Sequence, residues 1–122
     1  MSYDIEMVDL NGKVVTFADK HDLRGGTYAL GGTPDAHLNM TYNYSTILYA
    51  KLGEKGIRTI YGMTAAESIP VLKDAISRLN RSDVHPDYWQ ATEGNVAAAL
   101  QNFVYLAEMV HDVDPTAIWA GD

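Results

Sequence analysis

Nine Lys and Arg against sixteen Asp and Glu give this 122-residue chain a formal charge of −7 and a pI near 4.8. That balance argues against a surface that grips duplex nucleic acid through its phosphates. Cysteine is absent, which rules out disulfides, a thiolate zinc site and a cysteine nucleophile. The length suits one domain spanning 1–122, large enough to bury roughly two-thirds of its unfolded surface.

The chain opens on Met1-Ser2-Tyr3-Asp4 without a basic-then-apolar leader. No apolar stretch approaches the roughly 20 residues that span a bilayer. The expectation is a cytoplasmic protein without membrane contact. Tyr3, Ile5 and Met7 alternate with Asp4 and Glu6, and Val14, Val15 and Phe17 offer a returning strand. Between them Asn11-Gly12 predicts a tight type I′ turn, because both residues tolerate positive φ. Residues 19–26 read as a polar loop ending in Arg24-Gly25-Gly26. Residues 27–30 read as a short strand before the pair Gly31-Gly32.

From His37 to Tyr44 the alternation is nearly perfect. Leu38, Met40, Tyr42 and Tyr44 fall on one face, and His37, Asn39, Thr41 and Asn43 on the other. This predicts a strand with one packed face and one polar face that could line a site. Ser45 to Leu52 changes to helical spacing, with Gly53 set to relieve the last turn. Thr64-Ala65-Ala66-Glu67 matches a capping box. Pro70 then favours a helix proper that begins near Ser68, with Ile69, Leu72, Ile76 and Leu79 as its apolar stripe.

A loop over residues 80–90 precedes Thr92, the expected cap of a long helix that buries Val96, Leu100, Phe103, Ala107 and Val110. Trp119 is expected to dock the tail. Strands come first and helices last. This implies an α+β fold: a small antiparallel sheet with an N-terminal hairpin, packed by two or three helices.

Histidine stands near carboxylate at His21-Asp22, His85-Pro86-Asp87 and His111-Asp112, but no spacing matches a metal-ligand motif, and no cofactor is implied. Residues 26–33 imitate a phosphate loop with Gly32 where the lysine belongs, so the glycine pairs read as turns. No serine has the strand-elbow context of a nucleophile. Among dispersed acids, His85, Asp87 and Glu93 are the least poor candidates for a small hydrolase.

The stronger signal is polar and aromatic residues in segments that core packing does not explain. They are Arg24 and Tyr28, then Asn39, Tyr42 and Asn43, then Arg58 and Tyr61, and finally Trp89. Arginine holds anions in a forked grip, asparagine reads an amide or base edge, and tyrosine or tryptophan stacks on a ring. Ordinary packing competes with this reading, since Arg58 has Glu54 and Glu67 as nearby partners.

Four strings also carry a resemblance: Arg-Gly-Gly-Thr-Tyr-Ala from Arg24, Leu-Asn-Met-Thr-Tyr-Asn-Tyr from Leu38, Gly-Ile-Arg-Thr-Ile-Tyr-Gly-Met-Thr-Ala-Ala-Glu-Ser-Ile-Pro from Gly56, and Asp-Tyr-Trp-Gln-Ala-Thr-Glu-Gly-Asn from Asp87. Spanning the chain from about Tyr3 to Asp122, they resemble a family of small hypothetical proteins of phage, prophage and bacterial genomes. That family has no assigned activity and transfers no catalytic residues. The resemblance implies a phage setting, hence the host cytoplasm.

The leading expectation is a non-enzymatic binder of a small polar or anionic, nucleotide-like ligand. An acidic module that binds a host protein is the alternative, and a symmetric homodimer is compatible with either.

Overall fold

The computed structural model describes residues 2–27 and 32–122. β1 (Ser2–Val8) is the central strand of a three-stranded antiparallel sheet. β4 (His37–Thr41) lies on one side of it and β5 (Ile118–Gly121) on the other. β2 (Thr16–His21) and β3 (Thr33–Asp35) form a separate two-stranded ribbon. Three α-helices complete the α+β arrangement: α1 (Ser45–Leu52), α2 (Ala65–Ser77) and α3 (Glu93–Val113).

The alternation of β1 survives as expected. Tyr3, Ile5 and Met7 are buried, while Asp4 is exposed. The reversal after β1 differs from the predicted turn. Gly12 takes φ +77°, but no described residue other than glycine has positive φ, so Asn11 cannot occupy a type I′ position. Asp9 organises the turn instead. Its carbonyl accepts from Gly12 N at 2.9 Å, and its Oδ1 accepts from Asn11 N at 2.8 Å and Lys13 N at 3.0 Å. A short side chain bonding its own backbone two residues on is a local solution that needs only one glycine.

The returning segment touches β1 only around Val14 and Val15, through the bridge Val8–Val14 and a bond from Val15 N to Met7 O. It then leaves as β2, so residues 19–21, expected as loop, are strand. The place beside β1 goes to β4, with Ile5 opposite Leu38 and Tyr3 opposite Met40.

β4 stops at Thr41, earlier than its sequence alternation. The Thr41 side chain accepts from Asn43 N at 3.2 Å, and residues 42–44 turn into a 3-10 helix. Threonine offered a local backbone bond leaves the ladder readily. α1 follows and ends at Gly53, where φ is +104°.

α2 begins at Ala65, three residues earlier than Pro70 suggested. The capping box is complete: Glu67 N donates to Thr64 Oγ1 at 3.3 Å and Thr64 N to Glu67 Oε1 at 3.0 Å. These bonds and the burial of Ala65, Ser68 and Leu72 outweigh the bond lost at Pro70 inside the helix. Thr64→Ala should therefore cost about 1 kcal/mol, within the usual range for a lost cap, seen as a lower urea midpoint. An unchanged midpoint would mean that the cap does not hold this helix.

Thr92 caps α3 through Asn95 N at 3.3 Å, and the five apolar positions predicted for α3 are all buried. The buried side chains form one continuous cluster from Tyr3 to Trp119. Trp119 closes it: its ring centroid lies 5.4 Å from that of Phe103 on α3, and its Nε1 donates to Ser68 Oγ on α2 at 2.8 Å. The sheet thus packs its Met7/Trp119 face on α2 and α3 and turns Asp4, Glu6, His37 and Asn39 to the other side.

Both outer edges of this sheet are covered by short passing segments. Gly62 N bonds Trp119 O at 2.9 Å along β5, and Gly25 N bonds Asn39 O at 2.8 Å along β4. Such cover blunts an edge that would otherwise pair with another chain. Among the described residues, no helix is long and apolar enough to cross a membrane.

Candidate functional site

The residues singled out in the sequence fall into three places rather than one. Arg24 and Asn39 share a cavity of about 230 Å³ on the polar side of β4, lined also by His21, Asp22, Thr27, Thr33 and His37. Asn43 bonds the residue 80–92 loop, its Nδ2 donating to Trp89 O at 3.0 Å. Tyr42, Arg58 and Tyr61 gather around Tyr3 and Asp122 at the far end of β1. Tyr28 lies outside the described residues.

The Tyr3 group reads as packing that fastens the tail. The Tyr3 and Tyr42 rings meet edge to face at 4.4 Å. Arg58 lies over the Tyr3 ring at 5.0 Å, and its Nε donates to Asp122 O at 2.7 Å. Arg58 thus reaches the tail rather than the glutamates near it in sequence. Gly121 sits so close to the neighbouring Tyr61 hydroxyl that a Cβ there would lie 2.5 Å from it.

The Tyr61 phenol is raised to about 12, chiefly by burial and then by the Asp122 charge; Arg58 opposes the rise, and Tyr3 and Tyr42 add smaller upward effects. Burial alone carries the Tyr44 phenol to about 12. Phenols held neutral in the fold ionise more readily once unfolded, so they stabilise fully below pH 10 and lose that contribution as pH rises toward 12. The urea midpoint should accordingly fall between pH 10 and 12, and less steeply in Tyr44→Phe. Equal slopes in the two proteins would refute the role given to Tyr44.

The Arg24–Asn39 cavity differs in having polar groups left over. Gly25 holds its wall in place by a one-residue parallel bridge to Met40, and Thr41 N bonds Gly25 O at 2.9 Å. A Cβ on Gly25 would stand 2.6 Å from Asn39 O, so only glycine brings this segment so near β4. His21 is fully used: Nε2 lies 2.6 Å from Asp35 O, and Nδ1 accepts from Leu23 N at 3.2 Å. Both contacts hold together only with the ring hydrogen on Nε2.

Arg24 is half exposed and faces Asp22 across 3.7 Å, a loose surface pair worth little. Its fork therefore stays open to an anion, with Asp22 as the competing charge. Asn39 is the exception to full pairing. Its buried Oδ1 has no hydrogen-bond partner among the described residues, a state that native interiors rarely tolerate without cause. Position in sequence pointed to Arg24 and Asn39. Thr33 and His37 join them only through the β2–β3 ribbon and the β4 register.

A second cavity of about 230 Å³ lies across the same segment, lined by Arg24, Gly26, Thr27, Tyr44, Tyr88, Asn95, Ala98, Ala99 and Asn102. The Tyr44 hydroxyl donates to Tyr88 O, and Asn102 Nδ2 donates to Arg24 O at 2.7 Å. Asn95 Nδ2 ties down the loop through His85 O, Asp87 O and Gln90 O.

The three residues considered for hydrolysis serve this loop. Glu93 Oε1 accepts from Asn80 N at 2.8 Å, and His85 Nδ1 accepts from Asp87 N at 3.0 Å. Among the described residues no group of three or more His, Cys, Asp or Glu is arranged to hold a metal ion. No family model, curated protein or solved structure matches the chain.

Proposed function

We propose that the protein binds a small polar or anionic ligand in the cavity between residues 21–27 and β4, with Arg24 and Asn39 as its principal contacts. The observation that carries this reading is the buried, unpartnered Oδ1 of Asn39. A buried acceptor without a donor costs about 1–3 kcal/mol, and a ligand N–H or O–H would relieve that cost on binding. Arg24 beside it supplies charge-assisted donors for an anionic group. The phage setting implied by the sequence resemblance would give such a binder a role in withdrawing a nucleotide-like signal in the host cytoplasm.

Asn39→Leu tests the reading directly. Leucine has nearly the same shape and suits a strand better than asparagine. If the carboxamide serves a ligand, the ligand-free variant should be more stable than the parent by about 1 kcal/mol or more in urea. It should also lose the small-molecule mass that native mass spectrometry detects on the parent protein purified from its own host cells. A variant that melts earlier would show that Asn39 supports the fold, and the reading would fail.

A further inference from the structure

The charges around the Arg24–Asn39 cavity narrow the ligand it takes, and this step rests on the reading above. From the loose Arg24–Asp22 pair in one cavity with the buried, unpartnered Asn39 Oδ1, we infer that the ligand is a small α-amino acid. Its carboxylate lies on Arg24, and its ammonium group donates to Asn39 Oδ1 and faces Asp22.

Residues 21–25 present the two charges from a fixed backbone. Leu23 N donates to His21 Nδ1 at 3.2 Å, Asn102 Nδ2 donates to Arg24 O at 2.7 Å, and Gly25 is bonded into the edge of β4. Leu23 packs against the core, while Asp22 and Arg24 on either side of it line the cavity. Both charged side chains are about half exposed, and the 3.7 Å between them is longer than a hydrogen bond. Each therefore keeps capacity for a ligand group of opposite sign.

A purely anionic ligand would meet opposing charge here. Among the described residues that line the cavity, Arg24 is the one permanent cation, and Asp22 stands beside it. Asp4 lies opposite Asn39 in the β1–β4 register, and its Oδ1 is 3.6 Å from Nε2 of His37, another lining residue. A neutral polyol would supply a donor to Asn39 and leave the Arg24 fork unused. A zwitterion satisfies all three groups. Its carboxylate accepts charge-assisted bonds from the guanidinium, and its ammonium gives Asn39 Oδ1 a donor and Asp22 a positive charge. Size agrees. At about 230 Å³ the cavity falls below the roughly 300–1,000 Å³ usual for drug-sized ligands, so it suits an amino acid of few atoms rather than a whole nucleotide.

Nuclear magnetic resonance titration of the full chain with L-alanine, propionate and ethylamine tests the assignment, since each fragment lacks one of the two charged groups. L-alanine should bind at least about tenfold tighter than either fragment, as expected for one added hydrogen bond to a charged group. Asp22→Asn, at an exposed position, acts in opposite directions on the two kinds of ligand. It should weaken L-alanine by roughly threefold to fivefold, the scale of one exposed charge pair, and strengthen propionate by removing a competing charge. If either fragment binds as tightly as L-alanine, or if Asp22→Asn leaves or improves L-alanine binding, the amino-acid assignment is overturned. Tight propionate binding would still leave the Arg24–Asn39 anion site standing. If no probe shifts the resonances of the lining residues, the assignment falls, and the Asn39→Leu measurements decide separately whether the reading beneath it survives.

Discussion

Trp119→Ala is expected to destabilise the protein by about 3–5 kcal/mol, the usual cost of truncating a large buried aromatic side chain. Trp119 is 1 % exposed and is the largest fully buried side chain. It stands opposite Met7 in the β1–β5 ladder, against Phe103, with its indole N–H bonded to Ser68. The truncation opens a cavity where the sheet meets α2 and α3, and it removes the anchor that holds β5 on the central strand. Small domains have only about 5–15 kcal/mol of stability in total. The variant should therefore unfold at a much lower urea concentration. Trp119→Phe keeps a six-membered ring and loses the rest of the indole with its hydrogen bond to Ser68, a smaller truncation that should cost distinctly less. Equal midpoints for the parent and Trp119→Ala would show that the tail contributes little to the core.

Gly26→Ala is expected to cost about 2–4 kcal/mol, from two sources that a control can separate. The first is the positive φ of +82°, about 1–2 kcal/mol for an L-residue. The second is the clash of the new Cβ with the Tyr44 ring, an overpacking of about 1–3 kcal/mol. Tyr44 has little room to yield, because it is 1 % exposed and its hydroxyl is bonded to Tyr88 O. Gly12 has a similar φ of +77° with nothing within 4 Å of a new Cβ, so Gly12→Ala should show the backbone cost alone. Equilibrium unfolding of the two variants side by side measures the difference. If they lose the same stability, the close approach of residues 24–27 to Tyr44 is not a tight contact.

The candidate site was only half legible in the sequence. Arg24 and Asn39 stood out because their residue types and the alternation around Asn39 were unusual for packing. Arg58, Tyr42 and Tyr61 looked equally suggestive by the same criterion, yet Arg58 and Tyr61 donate to Asp122 O and Tyr42 packs on the Tyr3 ring. A residue's type states what it can bond, and only its neighbours decide whether those bonds are already made. Ala98 and Asn102 gave no signal at all, since alanine and asparagine on a helix become a wall only when another segment crosses them.

What the sequence by itself determined is what depends on neighbours within a few residues. The buried face of α3, the Thr64 capping box, the turn at Gly53 and the in–out alternation of β1 follow from periodicity, a short side-chain reach or the freedom of one glycine. The choice of partners for β1 lay beyond it. Val14 and Val15 compete with β4 and β5 for the same strand, and the winners lie up to the full length of the chain away. The early end of β4 at Thr41, the strand made by residues 118–121 and the two cavities around residues 24–27 were likewise decided by tertiary structure. Strand pairing and cavities are set by which surfaces meet across long separations, and that information resides in the summed burial of the whole chain rather than in any local pattern.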